Sequence, residues 1–90
     1  MITPENVLVH ELVGLRVTVL DSPCVALRNI CGTILYESKN SLLIKTDQTV
    51  RRVIKKMASR IKVDIENDAC FINGVSLIGR PEDRVTPVRN

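Results

Sequence analysis

The chain is poor in aromatic side chains: Tyr36 and Phe71 are the only two among 90 residues, and tryptophan is absent. Proteins that read single-stranded nucleic acid usually stack its bases on exposed aromatic side chains. This chain has almost nothing on which a base could stack. If it binds RNA, we expect the contacts to go to phosphates, 2′-hydroxyls and the shape of the folded RNA.

Long apolar runs are also missing. No stretch approaches the roughly 20 residues that a membrane-spanning helix needs, and residues 1–5 show neither the basic nor the apolar region of a signal peptide. The three cysteines, Cys24, Cys31 and Cys70, are odd in number and form no CxxC pair. We therefore expect no membrane, no disulfide framework, no zinc site and a cytoplasmic location, with Cys31 and Cys70 as buried thiols in strands.

No combination of residues typical of a catalytic site is present. Gly-rich phosphate loops and nucleophile motifs are absent, and the single histidine, His10, has no evident partner for acid–base chemistry. Asp64, Glu66 and Asp68 would share one face of a strand and could hold Mg²⁺, but the same spacing fits any solvent-facing strand. We predict no catalytic residue and no metal ligand, and a metal-dependent nuclease is kept only as a third alternative.

Apolar residues at alternate positions predict a small β domain. Residues 1–90 should form one domain, with a short helix from Thr3 to Val13, a barrel over 14–78 and a C-terminal turn and tail over 79–90. The predicted fold is mainly β, a small Sm-like or SH3-like antiparallel barrel of about six strands, whose closure would remove exposed edges. The strand-like segments are 15–19, 30–36, 42–46, 49–56, 61–65, 70–72 and 75–78.

Three short patterns predict how the chain bends. Gly32 inside a strand indicates a bulge or bend. Asn40 is expected to allow a left-handed backbone in the turn Ser38-Lys39-Asn40. Asn73-Gly74 is typical of a hairpin between the last two strand-like segments.

Positive charge is concentrated within residues 51–63, although the net charge of the chain is only +3. A solvated edge strand explains two or three basic residues better than it explains six without an acid. We therefore predict a phosphate-binding strip, with Lys55 and Lys56 as RNA contacts and Arg16 added from its placement. The six basic residues are Arg51, Arg52, Lys55, Lys56, Arg60 and Lys62.

Residues 79–85, GRPEDRV, predict the first turn of a helix. Pro81 suits the first helical position, and the two acids that follow it lie at the positive end of the turn. Arg80 and Arg84 share a face, and two guanidinium groups on a stiff turn suit phosphate oxygens. The alternative is a surface turn that neutralises its own charge.

Three segments, in order, resemble the archaeal ribonuclease P protein component 1 family. HELVGLRV at 10–17 resembles that family's opening HELIGLxV, ICGTILYESKNSLLI at 30–44 is similar to its core GxxGxVxDETRNTLxI, and GRPEDRV matches its GRPEDRI. Asn29 stands where the family often has Gly, and Ser38-Lys39 replaces Thr-Arg. The resemblance covers nearly the whole chain.

This resemblance implies an Sm-like barrel in the ribonucleoprotein that removes the 5′ leader from precursor tRNA. The RNA subunit would carry out the Mg²⁺-dependent hydrolysis, and the protein, without a cofactor of its own, would bind and stabilise the RNA specificity domain. Its implied partners are ribonuclease P RNA, a zinc-ribbon subunit and other ribonuclease P proteins, with precursor tRNA contacted indirectly. Carried onto this chain, the implied RNA contacts are Lys39, Asn40, Arg80 and Arg84.

Apolar residues on the predicted N-terminal helix indicate a surface for a protein partner. A helix this short is marginal alone, and exposed apolar side chains on it need a cover. An alternative function is therefore a protein-interaction SH3-like module in another RNA-processing or ribosomal assembly, in which the helix matters and the arginines do not. The expected partner-contacting residues are Val7, Leu8, Glu11 and Leu12.

Overall fold

The computed structural model describes residues 12–66 and 68–79, and its strands form one antiparallel sheet in the order β4-β3-β2-β1-β5-β6. β4 and β5 are consecutive along the chain but lie apart in the sheet, since the 3₁₀ helix Lys55–Met57 carries the chain across so that β5 pairs with β1. The strands are β1 (Arg16–Asp21), β2 (Cys31–Glu37), β3 (Ser41–Lys45), β4 (Val50–Ile54), β5 (Arg60–Ile65) and β6 (Asp68–Ile72).

A single apolar core lies on one face of this sheet. In β1 and β5 every second side chain is buried, which is the period of a strand with one covered face. Complete burial of each Val, Leu or Ile contributes roughly 1.5–3 kcal/mol. The strands contribute most of the core: Val17, Val19, Ile34, Leu42, Ile44, Val53, Ile61, Val63, Ile65 and Ile72.

The mainly β fold with six antiparallel strands is confirmed, but the closed barrel is not: β4 and β6 remain as the two edges of the sheet. The segment Val75–Ile78, predicted as a strand, begins instead inside the 3₁₀ helix Gly74–Leu77. Asn73 caps this helix, because its Oδ1 accepts a hydrogen bond from the N–H of Val75 at 2.9 Å. Asn73-Gly74 therefore starts a helical turn rather than a hairpin.

The predicted N-terminal helix is not borne out, since the described residues contain no helix of seven or more residues. Only Leu12 and Val13 of that segment are described, and they belong to a turn. The N–H of Leu15 donates to the carbonyl of Leu12 at 3.1 Å, and Gly14 has a φ of 93°. The rest of the predicted helix and the predicted C-terminal helical turn lie outside the described residues.

Two of the predicted bends have a different physical origin. Gly32 pairs with Val17 of β1 without a bulge, and glycine is required there because a Cβ would collide with the carbonyl oxygen of Lys45. The bulge falls between Ile34 and Tyr36. Asn40 is not left-handed, whereas Asn29 has a φ of 69°. That conformation explains why glycine would suit the position of Asn29.

Cys24, Cys31 and Cys70 are each only half-buried, so the expectation of buried thiols at Cys31 and Cys70 is wrong. The hydroxyl of Thr18 donates to the sulfur of Cys31 at 3.3 Å. None of the helices in residues 12–66 and 68–79 is long and apolar enough to cross a membrane.

Candidate nucleic-acid interface

A groove of about 320 Å³ lies where three separate stretches of chain meet. Asn40 comes from the β2–β3 turn, Ile54 and Lys56 from the end of β4 and the 3₁₀ helix after it, and Ile78 from the segment that leads into GRPEDRV. We call this feature the terminal groove. It brings two residues that were predicted to contact RNA, Asn40 and Lys56, to one place.

The β2–β3 turn on one side of the groove is held firmly by its own serines. The N–H of Ser38 donates to the carbonyl of Ser41 at 3.0 Å, and the N–H of Ser41 donates to the hydroxyl of Ser38 at 3.1 Å. Between them, Lys39 and Asn40 are exposed. The turn therefore presents an ammonium group and an amide to solvent on a fixed backbone.

Backbone hydrogen bonds join this turn to the other two sides of the groove. The N–H of Lys55 donates to the carbonyl of Asn40 at 2.8 Å, and the N–H of Gly79 donates to the carbonyl of Lys39 at 2.7 Å. The three stretches therefore form one built surface. In the sequence, Arg80 follows Gly79 directly.

Lys55 and Lys56 are adjacent in the sequence, but one is buried and the other is exposed. Lys56 is exposed and lines the groove. Lys55 is completely buried, and its Nζ lies 2.8 Å from Oε2 of Glu37 in an ion pair. The expectation that Lys55 contacts RNA is therefore wrong, because its ammonium is enclosed and neutralised inside the protein. The 3₁₀ helix causes this, since it ends the strand alternation from which both positions were predicted.

The predicted basic strip is not continuous. Besides the burial of Lys55, the guanidinium of Arg60 lies over the ring of Phe71, 5.2 Å from its centroid. Nζ of Lys62 lies 3.6 Å from Oδ1 of Asp64 in an ion pair, and Asp64 comes just after the stretch 51–63 that contains no acid. Lys55, Arg60 and Lys62 are therefore engaged with other protein groups, and Lys56 is the member of the strip that lines the terminal groove.

Arg16 is exposed on β1, but it lies elsewhere. It stands opposite Thr33 of β2 on one side and Asp64 of β5 on the other, in the middle of the sheet. From Thr33 to the β2–β3 turn, β2 extends over about 15 Å. Arg16 therefore provides a positive charge that is separate from the terminal groove. Arg80 and Arg84 lie outside the described residues.

The structure also corrects part of the surface that was predicted to contact a protein partner. Leu12 is fully buried and belongs to the core, so it cannot serve as an exposed contact for a partner. Its backbone N–H donates to Oε1 of Glu37 at 3.3 Å. Val7, Leu8 and Glu11 lie outside the described residues, as does His10.

The acidic residues 64, 66 and 68 form no metal site. No group of three or more potential metal ligands occurs within residues 12–66 and 68–79. Asp64 is paired with Lys62, and Oδ1 of Asp68 accepts the N–H of Ala69 at 2.7 Å. Glu66 lies in the turn between β5 and β6, with a φ of 45°. Within the described residues, these three acids therefore do not come together as metal ligands.

Sequence reasoning missed a second polar cavity of about 410 Å³, which Arg28 and Arg51 flank. Both arginines are partly used by the loop after β1. Nε of Arg28 donates to the carbonyl of Ser22 at 2.7 Å and lies 3.7 Å from Oδ1 of Asp21. Nη2 of Arg51 donates to the carbonyl of Ala26 at 3.4 Å. The signal available in the sequence was Asn29 at a position where the family often has glycine, which its φ of 69° explains.

Comparisons with known proteins agree with one another. A family model described as ribonuclease P/MRP, subunit p29 matches residues 5–87. Ribonuclease P protein component 1 of Methanocaldococcus jannaschii is 35% identical over 85 residues, 94% of this chain and 90% of the relative. The protein of the same name from Methanococcus aeolicus is 37% identical over 86 residues, 94% of this chain and 90% of the relative. A solved structure, Mth11, described as a homologue of human RNase P protein Rpp29, is 31% identical with a TM-score of 0.60, covering 84% of this chain and 99% of that one.

Proposed function

The chain belongs to the ribonuclease P/MRP subunit p29 family, and on that basis we propose that it is an RNA-binding protein subunit of ribonuclease P. The terminal groove is the observation that carries the RNA-binding part of this proposal. Three stretches of chain meet there, each of which supplies or precedes a polar or basic residue expected to contact RNA: Lys39 and Asn40, then Lys56, then the residues after Gly79. Backbone hydrogen bonds from Lys55 to Asn40 and from Gly79 to Lys39 hold these stretches together.

Membership of this family supports a proposal about the roles of the protein and RNA subunits. We propose that the protein is an accessory subunit and that the RNA subunit performs the Mg²⁺-dependent removal of the 5′ leader from precursor tRNA. We also propose that a small zinc-ribbon subunit is a protein partner of this chain and that the complex lies in the cytoplasm. The alternative, a protein-interaction module that acts through the Leu8 and Leu12 surface, loses support because Leu12 is in the core.

The mechanism that we propose is electrostatic. Lys39 and Lys56 place ammonium charges beside RNA phosphates, and the Asn40 amide can donate hydrogen bonds to phosphate or 2′-hydroxyl oxygens. Together with the arginines 16, 80 and 84, five cations would neutralise about five phosphates. The logarithm of the binding constant should then fall with the logarithm of the salt concentration at a slope of about −3.5 to −4.5.

The test is to measure binding of the ribonuclease P RNA specificity domain across a range of salt concentrations. Lys39→Gln and Lys56→Gln should each make the slope shallower by about 0.7–0.9, the change expected for one lost phosphate contact. Lys62→Gln is the matched control, because Lys62 is already paired with Asp64 away from the groove. An affinity that does not depend on salt, or an equal change for Lys62→Gln, would contradict the proposal.

A further inference from the structure

A buried ion pair lies beneath the terminal groove. The side chains of Lys55 and Glu37 are 0% and 2% exposed, and 2.8 Å separates Nζ from Oε2. Desolvation offsets most of the attraction in such a pair, so an apolar pair of similar volume often gives equal or greater stability. Net stability therefore does not explain why two charges occupy this place, and their other contacts point to a second role.

Those contacts reach both sides of the groove. Nζ of Lys55 also donates to the carbonyl of Gly79 at 3.0 Å and to the carbonyl of Lys39 at 3.3 Å. The N–H of Gly79 in turn donates to the carbonyl of Lys39. One ammonium group thus holds the turn that presents Lys39 and Asn40, and also the residue directly before Arg80.

We propose that Lys55 is a positioning residue for RNA binding. It does not touch RNA; it fixes the distance between the Lys39-Asn40 turn and the start of GRPEDRV, so that both can contact phosphates of one folded RNA at the same time. This inference rests on the proposed function, since it assigns a role within the same groove. Fixing two contact points before binding removes an ordering cost that would otherwise weaken the complex.

The variant that tests this role replaces both charges, Glu37→Met with Lys55→Met, so that no unpaired charge is left in the interior. We expect it to weaken binding of the RNA specificity domain by about tenfold, since two or three side chains must then be ordered during binding. The matched control is Lys56→Met, the same substitution at the exposed neighbour. Folding of each variant is checked by circular dichroism.

A double-mutant cycle with Arg80→Ala separates positioning from a general structural effect. When Arg80 is absent, its position relative to the turn no longer matters, so the Glu37→Met/Lys55→Met change should then weaken binding by less than about twofold. Lys56→Met should weaken binding by the same factor with and without Arg80. Equal losses for the paired substitution in both backgrounds, or no loss in either, would overturn the positioning role.

A second variant covers the case in which the paired substitution does not fold. Gly79 has a φ of 102°, so Gly79→Ala strains the backbone where Lys55 holds it and keeps both charges. It should show the same dependence on Arg80, and independence would overturn the inference. If neither Lys39→Gln nor Lys56→Met changes RNA affinity, the proposed function itself fails, which is a different result.

Discussion

Removing one half of the Glu37–Lys55 pair should destabilise the protein far more than removing both halves. Lys55→Met removes the ammonium that lies 2.8 Å from a carboxylate with 2% exposure, and it removes a hydrogen-bond donor from the carbonyls of Lys39 and Gly79. Breaking a buried pair in this way typically lowers the free energy of unfolding by about 3–5 kcal/mol. The double variant with Glu37→Met should recover much of this loss, because the carboxylate is removed together with its cation, although the N–H of Leu12 and the carbonyl of Gly79 each still lose one hydrogen bond.

The loss is large for a chain of this size. At about 0.05–0.15 kcal/mol per residue, the whole free energy of unfolding is roughly 5–13 kcal/mol. Because 1 kcal/mol corresponds to about 4–8 °C in a domain of this length, Lys55→Met should lower Tm by at least about 12 °C. Lys56→Met, at the exposed neighbour, should change the free energy of unfolding by no more than about 0.5 kcal/mol.

Urea unfolding followed by far-ultraviolet circular dichroism measures all three variants, since the chain has no tryptophan to report by fluorescence. The slope of the free energy against urea should stay the same, so that shifts in midpoint reflect stability alone. A single variant Lys55→Met within about 1 kcal/mol of the original would refute the reasoning. So would a double variant that is no more stable than the single one.

Substitutions at three further positions test other parts of the structure. Gly74→Ala should lower the free energy of unfolding by about 1–3 kcal/mol in the same assay, because the new Cβ meets the carbonyl oxygens of Lys55 and Ala58. An unchanged urea midpoint would mean that this contact is looser than described. Asn29→Val should destabilise by about 1–2 kcal/mol while Asn29→Gly stays near neutral, since the φ of 69° excludes branched side chains, and equal effects would contradict this cause. Phe71→Leu should leave affinity for the RNA specificity domain within about twofold, because the contacts are expected to go to phosphates; a loss of tenfold or more would indicate that a base stacks on this ring, which is 54% exposed.

Strand alternation allowed most of the sheet to be predicted from the sequence. Alternating residues such as Val17, Val19, Ile61 and Val63 are buried on one face as expected, because each depends only on the period of its own strand. The Val75–Ile78 segment failed for a non-local reason. Gly74 packs tightly on the 3₁₀ helix before β5, and this packing outweighs the local hairpin signal of Asn73-Gly74.

The candidate site was harder to predict, and Lys55 shows why. Its burial depends on Glu37, at the end of β2, and on carbonyl groups whose positions only the complete fold determines. A count of charges along residues 51–63 treats it like Lys56. Lys39 and Asn40 could be proposed from the family resemblance, and Lys56 from the concentration of basic residues along residues 51–63. Their assembly into one groove could not, because it depends on contacts between distant parts of the chain.

The crossover between β4 and β5 has a consequence for how the protein folds. Arg16 and Asp64 are paired neighbours in the sheet, yet β2, β3 and β4 lie between them in the chain. The β2–β3–β4 meander and the β5–β6 hairpin join neighbouring segments, whereas the β1–β5 ladder requires a long loop to close. Pairings between distant segments are slow to form, so we expect the two halves of the sheet to arise separately and join late. Before this last folding step, β1 and β5 of a newly made chain would not yet be paired with each other. Each would then expose one strand edge until the β1–β5 ladder forms.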